Sequence, residues 1–274
     1  MDASRAKSVV EGTRFARLDW VEATGSTNAD LVAVARSGGP QQVRFADHQD
    51  AGRGRLGRVW QAPPASSLLC SMLVRPRCAP GELHLVTTAV GLAAAEACES
   101  VTGVRLGLKW PNDLVAPGAA ADGSDLKVSG ILAETTSVDG HIDAVVVGIG
   151  LNVNWPDTIP DDLATIATSL RHLTGAEVDR DDLAAALVTR ADHWLGELDD
   201  CRLDEMRNAY HSWSATVGRD VRVELASEVI VGRATDIDRL GALVVIDDRG
   251  AEHRIYVGDV VHLRPATNAP QADN

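Results

Sequence analysis

A run of alternating glycines and arginines is the segment of this chain whose residue types point most directly to chemistry. Residues 52–58 read GRGRLGR, which brings Arg53, Arg55 and Arg58 within six positions. Glycines let a backbone pass close to a ligand, and guanidinium groups donate paired hydrogen bonds to carboxylate and phosphate oxygens. The run therefore predicts a cradle for such anions. The alternative is a solubilising or RNA-touching loop, and the spacing matches neither a Walker loop nor a GxGxxG turn.

A second segment, KWPNDL at residues 109–114, places an amide and a carboxylate just after a proline. Pro111 ends a predicted strand, so the side chains of Asn112 and Asp113 are expected at a sheet end that borders a cleft. There they suit a metal-bound nucleotide or the acceptance of a proton. A turn in which both side chains bond their own backbone is the alternative.

Two further segments combine a polar residue with glycine. Lys127 is followed by Gly130 in the sequence KVSGI, and GIGLN places Gly148 and Gly150 before Asn152. A lysine beside a glycine can reach an anion, although a lysine at a strand end is usually solvated. Glycines at a strand end favour close ligand approach, with a bulge as the alternative.

The elements that must position these segments are predicted from hydrophobic periodicity. Apolar alternation or apolar runs predict strands at residues 43–49, 68–74, 104–110, 127–138 and 141–149, the last two joined by an Asp-Gly hairpin turn. Helical spacing predicts helices at residues 29–39, 83–99 and 181–198, the last among two or three helices that follow the hairpin. The 83–99 helix is expected to cover one face of a sheet.

After Ser214 the sequence pattern changes and predicts short strands separated by short turns. Strands are predicted at residues 217–225, 229–237, 242–246 and 253–257, which suits a small SH3-like barrel. We therefore predict an N-terminal extension (1–19), a catalytic domain (20–214), a barrel domain (215–265) and a disordered tail (266–274). Residues 1–19 are too short for a winged-helix unit, so no DNA-reading domain is expected.

Composition narrows the class of protein. The formal net charge of −13 repels polyphosphate at long range, so DNA is not expected as a partner and phosphate chemistry must be local. No apolar run approaches the roughly 20 residues of a membrane span, and the first residues lack the apolar stretch of a secretory signal, which predicts a cytoplasmic protein without membrane contact. The four cysteines have neither zinc-site nor disulfide spacing and are expected to be reduced and structural.

Taken together, the motifs resemble those of biotin protein ligases. The resemblance rests on STN, QxAGRGRxGRxW, KWPNDL, KVxGI and GxGxN in this order between Ser26 and Asn152, about half of the chain, and the barrel-like segment extends it. It implies an α+β fold: a mixed central β-sheet flanked by helices, as in class II aminoacyl-tRNA synthetases and biotin/lipoate ligases, with a C-terminal SH3-like barrel. It also implies the monofunctional type, without an N-terminal DNA-binding domain.

The implied reaction joins biotin to ATP as biotinyl-5′-AMP, releases pyrophosphate and transfers biotin to a lysine of a biotin carboxyl carrier domain. The acceptor would belong to an acyl-CoA or pyruvate carboxylase. Mg²⁺ would enter with ATP rather than through a protein cluster, with Asp113 as its one candidate ligand. The expected ligands and partners are therefore biotin, ATP, Mg²⁺ and the carrier domain.

The resemblance also assigns roles to individual residues. Those implied as catalytic are Arg55, Lys127 and Asp113. Those implied to bind biotin are Ser26, Thr27, Asn28, Gln49, Arg53, Gly54, Arg55, Lys127, Gly148 and Gly150. Those implied to bind the nucleotide are Arg55, Arg58, Trp60, Asn112, Lys127 and Asn152. The alternatives are a helix N-cap for Ser26 and Thr27 and core packing for Trp60.

Three features depart from the family pattern. Gly25 stands where an acidic residue often precedes STN, Leu56 replaces a frequently basic residue, and residues 117–125 form a longer excursion than expected. Rival interpretations are a lipoate protein ligase, a nucleic-acid binder that uses the Arg-Gly run, and a biotin-sensing repressor. The GRGRxGR run together with KWPND opposes the first, since lipoate needs no ureido-binding polar set, and the net charge and the missing N-terminal reader domain oppose the other two.

Overall fold

The computed structural model describes residues 3–225, 227–256 and 258–262. Its helices are α1 (Ser4–Ser8), α2 (Thr27–Arg36), α3 (Leu85–Thr102), α4 (Asp161–Ala164), α5 (Leu170–Thr174), α6 (Arg180–Asp199) and α7 (Leu203–Trp213). Its strands are β1 (Leu18–Thr24), β2 (Gln42–Gln49), β3 (Ser67–Val74), β4 (Gly107–Lys109), β5 (Asp113–Ala116), β6 (Leu126–Val138), β7 (His141–Asn152), β8 (Asp220–Glu224), β9 (Val229–Ile237), β10 (Leu243–Asp247), β11 (Glu252–Ile255) and β12 (Asp259–His262).

The first seven strands form one mixed sheet in the order β1-β2-β3-β7-β6-β5-β4. Strands β1 and β2 run parallel, and every other neighbouring pair is antiparallel. The long hairpin of β6 and β7 occupies the middle of the sheet, and its residues are mostly buried except near the turn that joins the two strands. The predicted mixed sheet flanked by helices is confirmed.

Side chains of alternate residues in the central strands pack into two hydrophobic layers, one on each face of the sheet. Met72 of β3 and Val147 of β7 belong to the main core with α3 and α6, whereas Leu73 and Val146 pack with Leu31 of α2 on the opposite face. Because successive side chains of a strand point to opposite faces, Ser71 and Gly148 share the α2 face with Leu73 and Val146. That face is also the one on which the candidate site lies.

The last five strands form a separate antiparallel sheet in the order β11-β10-β9-β8-β12. It follows α7 directly, and Ala215 donates a backbone hydrogen bond of 2.8 Å to Leu108 of β4, which ties the C-terminal sheet to the edge of the large one. This is the antiparallel, SH3-like part of the predicted fold.

The structure extends the elements predicted from periodicity and corrects some of them. The strand predicted at 104–110 covers only Gly107–Lys109, because Trp110-Pro111 turns the chain into β5. Strands β1, β5 and β12 were not predicted; each is short or carries exposed polar residues that mask its alternation. Strand β1 begins at Leu18 and α1 packs against α6, within the segment predicted as an extension, and the domain boundaries stay a prediction.

The predicted disordered tail, residues 266–274, lies outside the described residues. Within the described part of the chain, no helix combines the length and the apolar character needed to cross a bilayer.

Candidate active site

A cavity of about 1000 Å³ opens on the α2 face of the large sheet. Its floor is a strip of strand without side chains, because Gly130 of β6 lies opposite Gly150 of β7, and Gly148 is the next residue of β7 on the same face. The Gly/Arg segment and the KWPND turn form its sides, and β12 of the C-terminal sheet closes one rim. The segments singled out in the sequence therefore converge on one cavity.

A buried polar cluster occupies the α2 end of this cavity. The side-chain oxygen of Gln49 accepts from both the backbone N and the hydroxyl of Thr27, at 2.8 and 2.9 Å. The Thr27 hydroxyl lies 2.7 Å from that of Ser71, which donates to Asn28 at 2.5 Å, and Asn28 in turn donates to Glu134 at 2.9 Å. Such a cluster presents both donors and acceptors at fixed positions, which suits a polar ring with several N–H and C=O groups.

Ser26 positions this cluster by capping the helix that carries Thr27 and Asn28. It is the N-cap of α2, and its side chain accepts from the backbone N of Ala29 at 3.4 Å. The cap places Thr27 and Asn28 in the first turn of the helix, where both are buried. The N-cap alternative is thus realised for Ser26, while the side chain of Thr27 points to Gln49 and Ser71.

The Gly/Arg segment is an ordered hairpin rather than an extended loop. Trp60 N donates to Gly52 O at 3.0 Å and Gly54 N donates to Arg58 O at 2.7 Å, across a turn at Arg55–Gly57. A Cβ on Gly52 would lie 2.4 Å from the carbonyl oxygen of Trp60, so only glycine allows this pairing. Leu56 adopts a φ of 55° at the turn and is 76% exposed.

Each arginine of the hairpin already has an oxygen partner. Arg53 pairs with Glu134 at 2.9 Å, and Arg58 pairs with Asp259 of β12 at 2.5 Å. Arg55 donates to Asn112 at 3.1 Å and lies 3.6 Å from Asp259. The guanidinium of Arg55 is the least exposed of the three and reaches furthest toward the KWPND turn, whereas Arg58 is largely exposed.

Lys127 and Trp60 meet above the glycine strip. The ammonium of Lys127 donates to Asp113 at 2.7 Å and lies 5.7 Å from the centre of the Trp60 ring. The Trp60 ring lies over Gly150, where a Cβ would come within 2.3 Å of it, and next to Gly130. The core-packing alternative for Trp60 is therefore incomplete, because its ring covers the floor of the cavity.

Asn112 and Asn152 are both held by backbone groups. Asn112 donates to Ile131 O at 2.8 Å and accepts from Arg55, which fixes the turn against β6. Asn152 is 1% exposed and donates to Thr168 O at 3.0 Å, and its side-chain oxygen has no hydrogen-bond partner among the described residues. Asn152 is therefore part of the cavity wall.

The glycines of GxGxN make room for side chains of the protein itself. A Cβ on Gly148 would lie 2.2 Å from the Asn28 side-chain oxygen, and one on Gly150 would meet Trp60. Sequence reasoning expected the ligand to approach these glycines; in the structure Asn28 and Trp60 lie against them.

Three residues of the site were missed by sequence reasoning. Ser71 is a fully buried hydroxyl in the middle of strand β3, Glu134 pairs with Arg53, and Asp259 reaches the site from the second sheet. A serine inside the apolar run LLCSMLV was a usable signal for the first. No local pattern marks Glu134 or Asp259.

Cation charge concentrates around Lys127. Lys109 lies near Lys127 on the cavity wall. Burial lowers the pKa of the Lys109 ammonium, and the charges of Lys127 and Arg219 act in the same direction. The charges of Asp113 and Asp125 act to raise it. Within the described residues, no group of three or more His, Cys, Asp or Glu side chains could hold a metal ion.

Comparison with known proteins gives one consistent result. Residues 27–152 match the model of the biotin/lipoate A/B protein ligase family, and residues 216–263 match the biotin protein ligase C-terminal domain. The chain is 39% identical to the biotin--[acetyl-CoA-carboxylase] ligase of Mycobacterium tuberculosis, over 95% of this chain and 94% of that protein. It is 31% identical to the corresponding ligase of Paracoccus denitrificans, over 84% and 94% of the two chains.

A solved structure agrees with these relatives. The biotin protein ligase from Aquifex aeolicus in complex with biotin and ATP superimposes with a TM-score of 0.76 at 28% identity, covering 92% of this chain and all of that one. The resemblance noted from the motifs is therefore confirmed over nearly the whole sequence. The chain belongs to the biotin protein ligase family.

Proposed function

We propose that this protein is an ATP-dependent biotin protein ligase. It joins biotin to ATP as biotinyl-5′-AMP and then transfers biotin to a lysine of the biotin carboxyl carrier domain of an acyl-CoA or pyruvate carboxylase. One observation carries the proposal: Arg53, Arg55 and Lys127, from two separate segments, line the same cavity as a buried polar cluster. Relatives along the full chain carry the same activity in their names.

The polar cluster at the α2 end binds the ureido ring of biotin. A ureido group presents two N–H donors and one carbonyl acceptor, and the cluster of Ser26, Thr27, Asn28 and Gln49 offers both kinds of partner. Lipoate has no such ring and would make none of these hydrogen bonds with the cluster, which disfavours lipoate as substrate.

The cations act where the two substrates react. In the first step a biotin carboxylate oxygen attacks the α-phosphorus of ATP, and the bond to the β-phosphate oxygen breaks as pyrophosphate leaves. Both reactants are anionic, so cations placed between them lower the barrier by positioning and by charge stabilisation. Lys127 contacts the carboxylate and the α-phosphate, Arg53 and Gly54 border the biotin side, and Arg55 contacts both substrates.

The nucleotide occupies the side of the cavity formed by the KWPND turn. Asn112 and Trp60 contact the nucleotide directly, and Arg58 supplies positive charge from the rim of the cavity. Asn152 lies in the cavity wall, and its side-chain oxygen has no hydrogen-bond partner among the described residues. Mg²⁺ commonly binds through one or two carboxylates together with substrate phosphates, and Asp113 on the cavity wall fits that role. When bound with ATP, the ion neutralises charge on the triphosphate.

The second step uses the same cavity. The acceptor lysine amine attacks the carboxyl carbon of biotinyl-5′-AMP, the amide bond forms, and AMP leaves with the anhydride oxygen. Asp113, which lies beside Lys127 on the cavity wall, is a carboxylate that can orient the lysine amine of the carrier. Since the reaction consumes ATP, and all four cysteines are free thiols, we infer a cytoplasmic site of action.

The test is direct transfer of biotin to a carrier domain. The purified protein is mixed with biotin, Mg-ATP and a carrier domain, and the intact mass of the carrier is measured. We expect one biotin per carrier with the wild type, a rate of transfer lower by about 100-fold or more with Lys127→Ala, and no mass change when lipoate replaces biotin. A carrier that stays unmodified with the wild type, or accepts lipoate equally well, contradicts the proposal.

A further inference from the structure

A buried polar network lies where the C-terminal sheet meets the 117–125 excursion. The side chain of Asp125 is only 6% exposed. It accepts hydrogen bonds from the backbone N of Gly118 at 3.0 Å, from Arg219 at 2.9 Å and from His262 at 2.9 Å. Arg219 and His262 both belong to the C-terminal part of the chain, so the carboxylate joins the two sheets.

The network continues from His262 to the KWPND turn. The second ring nitrogen of His262 lies 3.1 Å from the hydroxyl of Thr216, which accepts from the backbone N of Trp110 at 3.1 Å. A neutral imidazole with its proton on Nδ1 gives one continuous chain: Trp110 N donates to Thr216, Thr216 to His262 Nε2, and His262 Nδ1 to Asp125, while Arg219, which lies 3.3 Å from the same Nδ1, donates to Asp125.

Both ends of this network adjoin residues that carry the proposed chemistry. Asp125 precedes Lys127 by two positions, and Trp110 precedes Asn112 by two and Asp113 by three. Lys127 and Asp113 are themselves joined by the 2.7 Å ion pair. The network thus spans the two segments whose relative position determines where the Lys127 ammonium lies.

We propose that Asp125 is a positioning residue: anchored by Arg219 and His262 of the C-terminal part of the chain, it holds Lys127 in place against Asp113 for adenylate formation. The inference rests on the proposed ligase function. It gives the 117–125 excursion, which is longer than the family pattern leads one to expect, a role in catalysis through the residue at its end.

The ionic state of the network fits this role. Burial would raise the pKa of Asp125, but the hydrogen bonds from Gly118 and His262 and the charge of Arg219 leave it below its ordinary value. Asp125 is therefore a carboxylate across the neutral pH range. A charged, fully bonded acceptor in a buried site has one strongly preferred geometry, which is what positioning requires.

The experiment measures single-turnover formation of biotinyl-5′-AMP in the full-length protein, together with biotin affinity by calorimetry and the thermal unfolding midpoint. We expect Asp125→Asn to slow adenylate formation by about 10- to 100-fold, as displacements of about 1 Å do, with biotin affinity within about 2-fold. Asp220→Asn, which removes an exposed ion pair in β8, is the control and should match the wild type.

A second pair of variants tests the other branch. Thr216→Val removes the hydroxyl and keeps the shape, and is expected to slow the same step by about 3- to 10-fold. Thr216→Ser keeps the hydroxyl and should stay near the wild-type rate. If Asp125→Asn does not fold, the Thr216 pair decides the inference.

The deciding readout is non-additivity with Lys127. If Asp125 acts through Lys127, adding Asp125→Asn to Lys127→Ala should slow adenylate formation by less than about 2-fold. The same factor in both backgrounds, or a loss explained by lower thermal stability alone, overturns the inference. Failure of the wild type to form any adenylate would instead overturn the proposed function.

Discussion

The four cations of the proposed reaction lie against carboxylates in this structure, and Arg55 shares Asp259 with Arg58. Arg53 is paired with Glu134, Arg58 with Asp259 and Lys127 with Asp113. We expect the two anionic substrates to replace these carboxylates as partners of the cations, or to share the cations with them. Without ligand, the ion pairs hold these cations at the rim and wall of the cavity.

The replacement of partners makes Lys127 the most informative single residue. In the proposed reaction Lys127→Ala removes the charge between the biotin carboxylate and the α-phosphate, and loss of one such stabilising donor slows reactions by about 100-fold or more. We expect that loss in biotin-dependent exchange of pyrophosphate into ATP. Lys127→Arg keeps the charge and should retain more activity than alanine. An alanine variant within about 3-fold of the wild type would contradict the assignment.

The glycine strip yields a second prediction at the residue scale. In Gly148→Ala the new methyl group would lie 2.2 Å from Asn28, which is held by Ser71 and Glu134 and cannot move freely. Overpacking of this kind costs about 1 to 3 kcal/mol. We expect that loss in urea unfolding, with weaker biotin binding.

Gly81→Ala is the matched control for this change. Its new Cβ meets nothing within 4 Å, so stability should change by less than about 0.5 kcal/mol. Equal stability of the Gly148 and Gly81 variants would show that Asn28 is not fixed against β7.

Motif chemistry pointed to three segments that line the cavity, because the residues of each segment are close together in sequence. Residues 52–58, 109–114 and 127–131 each contribute neighbours that the fold keeps together. Glu134 and Asp259 could not be identified this way, because their importance comes from pairing with Arg53 and Arg58 across the fold. Gly148 was identified for a ligand, but its open face is filled by Asn28.

At the scale of elements, periodicity predicted the long strands and helices but not the edge strands β1 and β12. Strand β9 was predicted with its observed bounds, and the predicted helix at 181–198 differs from α6 by one residue at each end. Strand β1 is an edge whose middle residues are half-buried, so its alternation is weak. Strand β12, four residues long, is defined by pairing with β8 rather than by its own pattern.

The Arg hairpin is the element whose order we expect ligand binding to increase. Its arginines are held by exposed or rim ion pairs, so it should open transiently and admit trypsin after Arg55 or Arg58. We expect biotin plus Mg-ATP to suppress this cleavage, measured by mass spectrometry of timed digests. Cleavage that ligands leave unchanged would count against ordering of the hairpin over the adenylate.

Asp259 connects this hairpin to the C-terminal sheet, and its removal gives a matched comparison. Asp259→Asn should speed cleavage in the absence of ligand, because both Arg55 and Arg58 lose a carboxylate partner. Asp220→Asn, on the same sheet but far from the hairpin pairs, should leave the cleavage rate unchanged.

At the scale of the whole molecule, the two sheets are joined through buried groups that titrate. Burial lowers the pKa of His262 below its ordinary 6.5, and the charges of Lys109 and Arg219 act in the same direction, whereas Asp125 opposes them. The unfolded chain therefore takes up this proton first as pH falls. The stabilising contribution of neutral His262 is complete above about pH 6.5 and is lost as pH falls below it.

The lowered pKa of His262 predicts that the wild type and a His262→Asn variant lose stability to different extents as pH falls. From pH 7.5 to pH 5.5 the thermal unfolding midpoint of the wild type should fall by more than that of His262→Asn, which has no imidazole to protonate there. Comparing the two removes the contributions of the other histidines. A larger fall in the variant would contradict the neutral, buried state of His262.

The most direct test of the central claim is a crystal structure with a non-hydrolysable analogue of biotinyl-5′-AMP. The account predicts hydrogen bonds from Arg55 and Lys127 to the oxygens at the carboxyl–phosphate junction, with Lys127 released from Asp113 or sharing it. The ureido ring should contact Thr27 and Gln49. Finding these cations directed to solvent, with the ligand held elsewhere, would contradict it.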